Sequence, residues 1–417
     1  MKKIQDKQPL VPELRFPAFR GDDGWMERPL GYFLNEHKIK SDGLCEVHSV
    51  SVHKGVINQK EHMGRSFAAK DTSNYNLAHP NDVIYTKSPT GEFDFGNVKQ
   101  SHLEVNVIVS PLYGVYTPIT PEAGYIIHCF FESPRRAFKY LDPITQKGAK
   151  NTIQITNQGF LLGKVCFPHS PAEQKTIADC LSSLDDLITA HNAKLNTLKD
   201  HKKGLLQQLF PAEGITTPKL RFSEFKDKGE WGIKPLGKLV NYINGKAHEK
   251  EISESGSYIV VNSKYISTEG AVVKKSDSAL CLASIGDVLM VLSDVPNGKA
   301  IAKCYFVRKN DHYSVNQRIC KLTPSNITGR FLFYTLDKHQ YFLDFDDGVK
   351  QTNLRKDDVL DCPISLPPES DEQQKIANCL NALDALITAQ TEQIAALTAH
   401  KKGLMQQLFP NPELSKK

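Results

Sequence analysis

Two stretches of the sequence decide the fold: Glu173–Pro211 reads EQKTIADCLSSLDDLITAHNAKLNTLKDHKKGLLQQLFP, and Glu372–Pro410 reads EQQKIANCLNALDALITAQTEQIAALTAHKKGLMQQLFP. An ungapped alignment of the two agrees at about 23 of 39 positions, which marks an internal duplication. In both copies apolar residues recur alternately every three and four positions. This heptad seam predicts a long helix that packs against another of its kind. A helix of ~37 residues is ~55 Å long at 1.5 Å per residue, a length that suits a strut.

The predicted seam occupies equivalent positions in the two copies. Its residues are Leu181, Leu184, Ile188, His191, Leu195 and Leu198 in the first copy and Leu380, Leu383, Ile387, Gln390, Ile394 and Leu397 in the second. Polar residues fall at matching places, His191 with Gln390 and Lys202 with Lys401, and a polar group in a seam costs stability while it restricts register. We interpret these residues as register devices. The alternative is that Lys202 and Lys401 lie beyond the packed part and reach into water.

Length and composition are those of an ordinary globular protein of two or three domains. The 417 residues are 40% hydrophobic and 24% charged, and the formal net charge of +5 permits a nucleic-acid partner without requiring one. The sequence has no run of 18 apolar residues, and no apolar segment follows its N-terminal basic residues, so we expect a cytoplasmic protein with no membrane partner. The nine cysteines include no Cys-x-x-Cys pair, so neither a disulfide framework nor a zinc ribbon is predicted.

The duplication extends into the segments that precede each helix. Pro12–Phe16 (PELRF) recurs as Pro218–Phe222 (PKLRF) and Trp25 as Trp231, at a constant offset of 206 residues. Identity is sparse elsewhere, as expected if the helices share one structural role while the preceding blocks bind different targets; drift in loops is the alternative. The predicted division is a first block (1–170), a first long helix (171–211), a second block (212–368), a second long helix (369–410) and a tail (411–417).

Each block is predicted to mix strands and helices. The β-type runs are Val105–Ser110, Tyr125–Phe131, Tyr258–Asn262, Asp287–Leu292 and Ala300–Val307, and the helical stretches are Pro134–Leu141 and Gly329–Lys338. Turn residues separate these segments. The fold class is therefore α+β, with two mixed blocks and two long helices related by an internal repeat with approximate two-fold symmetry.

Catalytic motifs are missing from the sequence. It has no Walker A motif, no dinucleotide-binding fingerprint, no Gly-x-Ser-x-Gly elbow and no His-Glu-x-x-His pair. It also lacks the Asn/Asp-Pro-Pro-aromatic motif expected of an adenine methyltransferase. We therefore predict no catalytic residues in this chain.

Two clusters of possible metal ligands are weighed against simpler explanations. His48, His53 and His62 are close in sequence, but no carboxylate pair lies near them, so surface histidines are favoured over a metal site. The acidic stretch 344–347, followed by Lys350, resembles part of a metal nuclease site, but only the second half of the chain has it. We therefore predict no metal site.

What remains is a binding protein, whose candidate DNA contacts are polar residues in turns. They are Tyr85, Lys87, Ser88, Thr90, Lys147, Lys150 and Asn151 in the first half, and Ser293, Asn297, Lys299, Lys350, Gln351, Asn353 and Arg355 in the second. Cations suit phosphate oxygens, and amide side chains can read adenine edges bidentately. The alternative is that each of these turns is simply solvated.

Several features of the sequence together resemble the specificity subunit of type I restriction-modification systems. They are the duplicated EQxxIAxxLxxLDxLI helix with its KKGLxQQLFP end, the repeated PxLRFxxF motif, the string Asn316-Gln317-Arg318 and the turns at Gly148 and Gly348. The resemblance covers essentially the whole chain. It implies that the two blocks are target recognition domains, each reading one half of a bipartite site in double-stranded DNA. It also implies that the helices pack as an antiparallel coiled coil and act as a ruler between the half-sites.

The same resemblance implies the partners. The subunit would have no catalysis of its own and would hold two methyltransferase (M) subunits, and through them restriction/translocase (R) subunits. No cofactor is expected in this chain, whereas S-adenosylmethionine, ATP and Mg²⁺ are expected on the partner subunits.

Other function classes stay open at this point. The chain could be a two-module DNA-binding regulator, or a scaffold, that self-associates through its coiled coil. A single palindromic footprint would favour that class, since two different blocks predict an asymmetric site. A self-contained restriction enzyme would need catalytic motifs that the sequence lacks.

Overall fold

The computed structural model describes residues 10–64, 71–147, 153–296 and 298–410. The chain divides into two compact units. Unit 1 comprises residues 1–192 and 393–417, and unit 2 comprises residues 193–392. Each unit therefore contains one block, the start of one long helix and the end of the other. No helix within the described ranges is long and apolar enough to cross a lipid bilayer.

The block of unit 1 mixes short strands with four helices along its described part. The strands are β1 (Met26–Pro29), β2 (Leu34–Glu36), β3 (His48–Ser51), β4 (Gly55–Asn58), β5 (Asn76–Ala78), β6 (Val83–Tyr85), β7 (Val98–Gln100), β8 (Val107–Val109), β9 (Gly114–Pro118), β10 (Gln146–Lys147), β11 (Ile153–Gln154) and β12 (Lys164–Phe167). The helices are α1 (Gln59–Met63), α2 (Pro121–Phe131), α3 (Pro134–Leu141) and α4 (Asn157–Leu162), and the first long helix, α5 (Pro171–Leu209), follows them.

The block of unit 2 has the same general composition. Its strands are β13 (Gly232–Pro235), β14 (Val240–Asn244), β15 (Tyr258–Val261), β16 (Lys275–Ser276), β17 (Leu282–Ala283), β18 (Val288–Val291), β19 (Ser293–Asp294), β20 (Cys304–Phe306), β21 (Tyr313–Val315), β22 (Ile319–Pro324), β23 (Thr352–Asn353) and β24 (Pro363–Leu366). Its helices are α6 (Ser263–Ser267), α7 (Gly329–Leu336), α8 (Gln340–Leu343) and α9 (Lys356–Leu360), and the second long helix, α10 (Ser370–Leu408), follows them.

The two blocks share a frame. Unit 1 has an antiparallel sheet of order β2-β9-β6-β7 and a pair β1·β12, and unit 2 repeats both as β14-β22-β18-β20 and β13·β24. The register repeats as well, since Val83 pairs with Tyr116 and Val288 with Leu322. The duplication in the sequence is therefore a duplication of topology.

Outside the shared frame the blocks differ. Unit 2 adds a four-stranded sheet, β16-β15-β21-β17, in which β15 and β21 are parallel. Unit 1 has three antiparallel pairs, β3·β4, β5·β8 and β10·β11, among its described residues. The sequence therefore diverged where the additional strands are attached and stayed alike where the frame meets the long helices.

The α+β fold class is confirmed, but one predicted strand is wrong. Tyr125–Phe131 lies in α2, whose first turn is capped by Thr120 and carries Pro121 at its first position. The run YIIHCFF looks like a strand because α2 is buried on nearly all sides, so it lacks the polar face that would show a helical period. The helices at Pro134–Leu141 and near Gly329 form as predicted.

The long helices form where the heptad pattern predicted them. Their seam residues are buried or half-buried: Leu181, Leu184, Ile188, His191, Leu195 and Leu198 in α5, and Leu380, Leu383, Ile387, Gln390, Ile394 and Leu397 in α10. Within unit 1 the start of α5 shares a hydrophobic core with the end of α10, and within unit 2 the start of α10 shares one with the end of α5. The helices therefore run antiparallel within each unit.

A buried clamp fixes the block of unit 1 to the start of α5. Arg15 donates to both carboxylate oxygens of Glu173, from Nε at 2.7 Å and from Nη2 at 2.9 Å. The indole Nε1 of Trp25 donates to the same carboxylate at 3.2 Å. All three side chains are buried. The ion pair therefore joins the opening segment of the block to the first turn of the helix that follows it.

Unit 2 has the same clamp. Arg221 donates to Glu372 at 2.8 and 2.7 Å, and Trp231 donates to that carboxylate at 3.4 Å. The repeated PxLRF motif thus supplies the arginine, and the repeated EQxxIA motif supplies the glutamate. In each unit, the two repeated motifs therefore bind each other through one arginine–glutamate ion pair.

The lysines near the end of each long helix do not reach into water, so that alternative is wrong. In unit 1, Lys401 is 6% exposed and binds Asp185 at 2.7 and 2.8 Å and Glu132 at 3.1 Å. In unit 2, the half-buried Lys202 lies 2.6 Å from Asp384. Each lysine joins the end of one long helix to a carboxylate near the start of the other, which supports a role in register.

Candidate DNA interface

Unit 2 brings two of its predicted DNA-binding segments together. Strands β19 and β23 pair antiparallel, with Ser293 opposite Asn353. Nε2 of Gln351 donates to Oγ of Ser293 at 2.8 Å and to Oδ1 of Asn353 at 3.2 Å. Ser293 is buried, whereas Gln351 and Asn353 are exposed. We call β19, β23 and the turns that adjoin them, residues 293–300 and 344–355, the polar ribbon.

The ribbon constrains how its amides can bind a base. Both hydrogens of the Gln351 amide point to Ser293 and Asn353, so this side chain does not offer the free donor and acceptor pair that bidentate adenine recognition requires. Its Oε1 accepts no hydrogen bond from the described residues, and an acceptor of this kind suits the exocyclic amino group of adenine or cytosine. Gln351 therefore offers one acceptor, Oε1, and no free amide hydrogen.

Asp346 and Asp347, from the acidic stretch 344–347, build a turn of the ribbon. Oδ1 of Asp346 accepts from the backbone of Gly348 at 3.0 Å, and Oδ1 of Asp347 accepts from the amides of Val349 and Lys350 at 2.9 Å each. These amide hydrogen bonds lower the pKa of Asp347. Gly348 has a φ of 70°, which favours glycine. The turn exposes Val349 and Lys350, and the carboxylates of Asp346 and Asp347 hold its backbone in place.

The other cations of the ribbon are also exposed. Lys299 lies within the loop that Asp294 closes by accepting from the amides of Ala300 and Ile301. Arg355 is exposed at the residue before α9, where its own backbone amide donates to Asp358 at 2.7 Å. Asn297 lies outside the described residues.

Unit 1 distributes its candidates differently. Tyr85 is completely buried, and its hydroxyl donates to the carbonyl of Phe95 at 2.7 Å. Burial also raises the pKa of Tyr85. The aromatic ring belongs to the core, because residues 83–85 form the central strand β6 and leave no side chain of that strand exposed. Tyr85 is therefore removed from the candidate interface.

The turn after Tyr85 remains at the surface. Ser88 and Thr90 are exposed, and the half-buried Lys87 has a φ of 60°, in the left-handed region. Burial is the main reason why the pKa of Lys87 is lowered. A Cβ at Gly96 would lie 2.7 Å from the backbone nitrogen of Lys87, so this hairpin requires glycine there. The backbone of Lys147 lies in β10, which pairs with β11, while Lys150 and Asn151 lie outside the described residues.

Unit 1 also contains a cluster of one carboxylate and two imidazoles that the sequence did not indicate. The buried carboxylate of Asp82 lies between the imidazoles of His37 and His79. His37 is 45 positions away from Asp82, and no local spacing pattern connects them. The expectation of surface histidines is wrong for His48, which is buried and whose Nδ1 lies 3.1 Å from the carbonyl oxygen of Glu46, whereas His53 is exposed.

Comparison with known proteins finds a matching family and similar relatives. Residues 228–399 match the family described as "Type I restriction modification DNA specificity domain". The chain is similar to the type I restriction enzyme MjaVIII specificity subunit of Methanocaldococcus jannaschii, at 25% identity over 262 residues, which are 57% of this chain and 59% of that protein. The resemblance to type I specificity subunits is confirmed.

Two further similarities extend the comparison. The putative type I restriction enzyme MjaX specificity subunit of the same organism is 26% identical over 294 residues, 66% of this chain and 64% of that protein. The matches thus span about three fifths of each of these type I specificity subunits. The S subunit of a type I restriction-modification system from M. genitalium has a TM-score of 0.61 at 12% identity, covering 96% of this chain and 100% of that one, which shows a common fold.

Proposed function

We propose that this chain is the DNA specificity subunit of a type I restriction-modification complex. Its two blocks act as recognition domains that read the two halves of an asymmetric bipartite site. The long helices set the spacing between the half-sites and bind methyltransferase subunits. The chain itself performs no catalysis, which agrees with a sequence that lacks every catalytic motif considered above.

The observation that carries this proposal is the combination of one repeated frame with two different additions. The β2-β9-β6-β7 sheet of unit 1 and the β14-β22-β18-β20 sheet of unit 2 are equivalent, and each block is clamped to a long helix by an arginine and a glutamate. The additional strands differ between the blocks. A shared frame that carries different additional strands suits two domains that each bind DNA but recognise different half-sites.

The proposed ruler follows from helix geometry. Each long helix has 39 residues, so it is ~58 Å long at 1.5 Å per residue. One turn of duplex DNA is ~34 Å, so helices of this length suffice to separate two half-sites by more than one turn. Because the blocks differ, the site should be asymmetric.

The proposed contacts in unit 2 divide into phosphate and base contacts. The exposed cations Lys299, Lys350 and Arg355 would bind phosphates and make affinity fall with salt. Gln351 would read a base through Oε1. We expect Lys350→Ala to reduce the log–log salt slope by about 1 without changing the sequence read. Gln351→Ala, which removes one hydrogen bond, should cost about 0.5–1.5 kcal/mol at one base pair. Lys234→Ala, at an exposed position of β13, is the matched control.

The proposed partners are two methyltransferase subunits, and through them restriction/translocase subunits; S-adenosylmethionine, ATP and Mg²⁺ would bind to those partners. Each long helix exposes a leucine outside its seam at equivalent positions, Leu187 at 42% and Leu386 at 54%. We expect Leu187→Ser with Leu386→Ser to weaken the complex with the methyltransferase and to leave the fold intact, because both side chains are exposed. Thr189→Ala with Thr388→Ala, at exposed positions on another side of the helices, is the control.

The direct experiment maps methylated adenines in cells that carry the methyltransferase subunit with and without this chain. The proposal expects methylation at one asymmetric bipartite motif that depends on the chain. Exchanging residues 212–368 for the block of a relative should change one half-site and keep the other. A single palindromic footprint without any methyltransferase would favour the regulator, and chain-independent methylation would overturn the proposal.

A further inference from the structure

Three possible metal ligands of unit 1 converge on one point. The carboxylate of Asp82 is 1% exposed, and its Oδ2 lies 2.8 Å from Nε2 of His37 and 3.3 Å from Nδ1 of His79. The three ligand atoms all lie within 4.8 Å of one another. They come from the end of β2, from the turn before β6 and from the residue that leads into β6. These residues belong to neither the polar ribbon nor the helix seam.

The carboxylate is held in a fixed orientation. Oδ1 of Asp82 accepts from the hydroxyl of Thr117 at 2.9 Å, and Oδ2 accepts from the backbone amide of His79 at 2.7 Å. Supporting hydrogen bonds of this kind orient a metal-binding carboxylate. Each carboxylate oxygen can accept at two positions, so the hydrogen bond from His79 leaves Oδ2 able to bind a cation.

Unit 2 has the equivalent aspartate with a lysine beside it. Asp287 accepts from Thr323 at 2.6 Å and from the amide of Ser284 at 2.8 Å, as Asp82 does from its counterparts. Lys321 lies 3.9 Å from this carboxylate and supplies a positive charge. In the strand ladder, Lys321 pairs with Leu289, and the equivalent pair of unit 1 is Val115 with Ile84.

Unit 1 thus buries the same carboxylate without the lysine. A buried charge is costly unless it is paired or binds a metal. At the place where unit 2 has an ammonium group, unit 1 has two imidazoles, and neutral imidazole nitrogens together with a carboxylate oxygen suit Zn²⁺. Tetrahedral Zn²⁺ with bonds of ~2.0 Å separates neighbouring ligand atoms by about 3.3 Å. The distances of 2.8 and 3.3 Å from Oδ2 lie near that separation, and the two imidazole nitrogens lie within 4.8 Å of each other, so binding would draw the imidazoles around the ion.

We propose that His37, His79 and Asp82 form a binding site for one Zn²⁺ ion in the first recognition block. His37 would bind through Nε2, His79 through Nδ1 and Asp82 through Oδ2, and water would take the fourth position. The ion neutralises the buried carboxylate, as Lys321 does in unit 2, and joins the end of β2 to the turn before β6. Its role is to stabilise the block.

The test uses the full-length chain without an affinity tag. It is first treated with a chelator and then dialysed against micromolar Zn²⁺, and bound metal is measured. We expect one equivalent of Zn²⁺ and a higher midpoint of thermal unfolding. Because Asp82 also closes the turn, the substitution is made at His79, whose side chain is 37% exposed. His79→Ala should lower the affinity for Zn²⁺ by about tenfold or more, and His53→Ala, at an exposed histidine, should leave it unchanged.

Substitution with Co²⁺ separates this site from binding by the nine free cysteines. A site made of two imidazoles and a carboxylate gives cobalt absorption without a thiolate-to-cobalt charge-transfer band. Failure to retain an equivalent of Zn²⁺, equal retention by His79→Ala, or a thiolate band would each overturn the proposal.

Discussion

Replacing Arg15 by Met should destabilise unit 1 strongly. The substitution removes both hydrogen bonds from the guanidinium to Glu173, a carboxylate whose side chain is 1% exposed. Among the described residues, only the indole of Trp25 would remain as a side-chain donor to it. Removing one partner of a buried ion pair costs about 3–5 kcal/mol, because the other charge stays buried. We therefore expect the free energy of unfolding of unit 1 to fall by about that amount.

The chain offers a built-in probe for this measurement. It contains two tryptophans, and each lies in the clamp of one unit. In a Trp231→Phe background, the fluorescence of Trp25 reports unit 1 alone. The urea midpoint for Arg15→Met should be lower by roughly 1–2 M, given slopes of about 2–3 kcal/mol per molar for a unit of this size. Arg20→Met, at an exposed arginine, should change stability by less than about 0.5 kcal/mol.

A double-mutant cycle identifies the cause. Glu173→Met alone leaves the buried guanidinium of Arg15 unpaired, whereas the double variant leaves no buried charge, so its loss should be smaller than the sum of the two single losses by at least about 2 kcal/mol. Additive losses, or an Arg15→Met effect no larger than that of Arg20→Met, would refute the clamp as an ion pair that holds block and helix together.

Three further predictions concern single side chains. Lys401→Met should lower the free energy of unfolding of unit 1 by about 2–3 kcal/mol in urea titrations, because the carboxylates of Glu132 and Asp185 lose a buried cation. An unchanged free energy of unfolding would show that Lys401 contributes no more than a solvated lysine. Tyr85→Phe should cost about 1 kcal/mol of stability and leave DNA affinity unchanged in a binding titration, and a loss of affinity without a loss of stability would restore Tyr85 to the interface. Burial, reinforced by the charge of Lys99, lowers the pKa of His128 to about 4. Between pH ~6.5 and ~4 the folded state therefore binds fewer protons than the unfolded state, so the free energy of unfolding should fall as the pH falls through that window. His128→Asn should flatten this pH dependence, and an unchanged slope would contradict the prediction.

The sequence predicts the long helices well because their signal is local and occurs twice. A heptad pattern needs only neighbouring residues, so both helices could be placed within a few residues of their ends. The strand expected at Tyr125–Phe131 was wrong because a helix buried on nearly all sides loses its period. Its N-terminal signals, Thr120 and Pro121, were present and could have outweighed the apolar run.

Contacts between distant residues could not be predicted in this way. Arg15 and Glu173 each stand in a repeated motif, but 158 positions separate them, and a repeat alone does not show which conserved-looking residue pairs with which. The polar ribbon shows the same limit. Its two segments were recognised separately, whereas the hydrogen bonds of Gln351 that restrict base reading depend on the pairing of β19 with β23.

The account depends most on the long helices as a spacer between two recognition domains, and lengthening both tests it most directly. Insertion of one heptad at equivalent positions of α5 and α10 preserves the seam and adds ~10 Å to each helix, equal to about three base-pair rises of 3.4 Å. Sequencing of methylated adenines in cells that carry the methyltransferase subunit should then show the same two half-sites with a spacer longer by up to about three base pairs. Methylation at the original spacing by the lengthened protein would contradict the account.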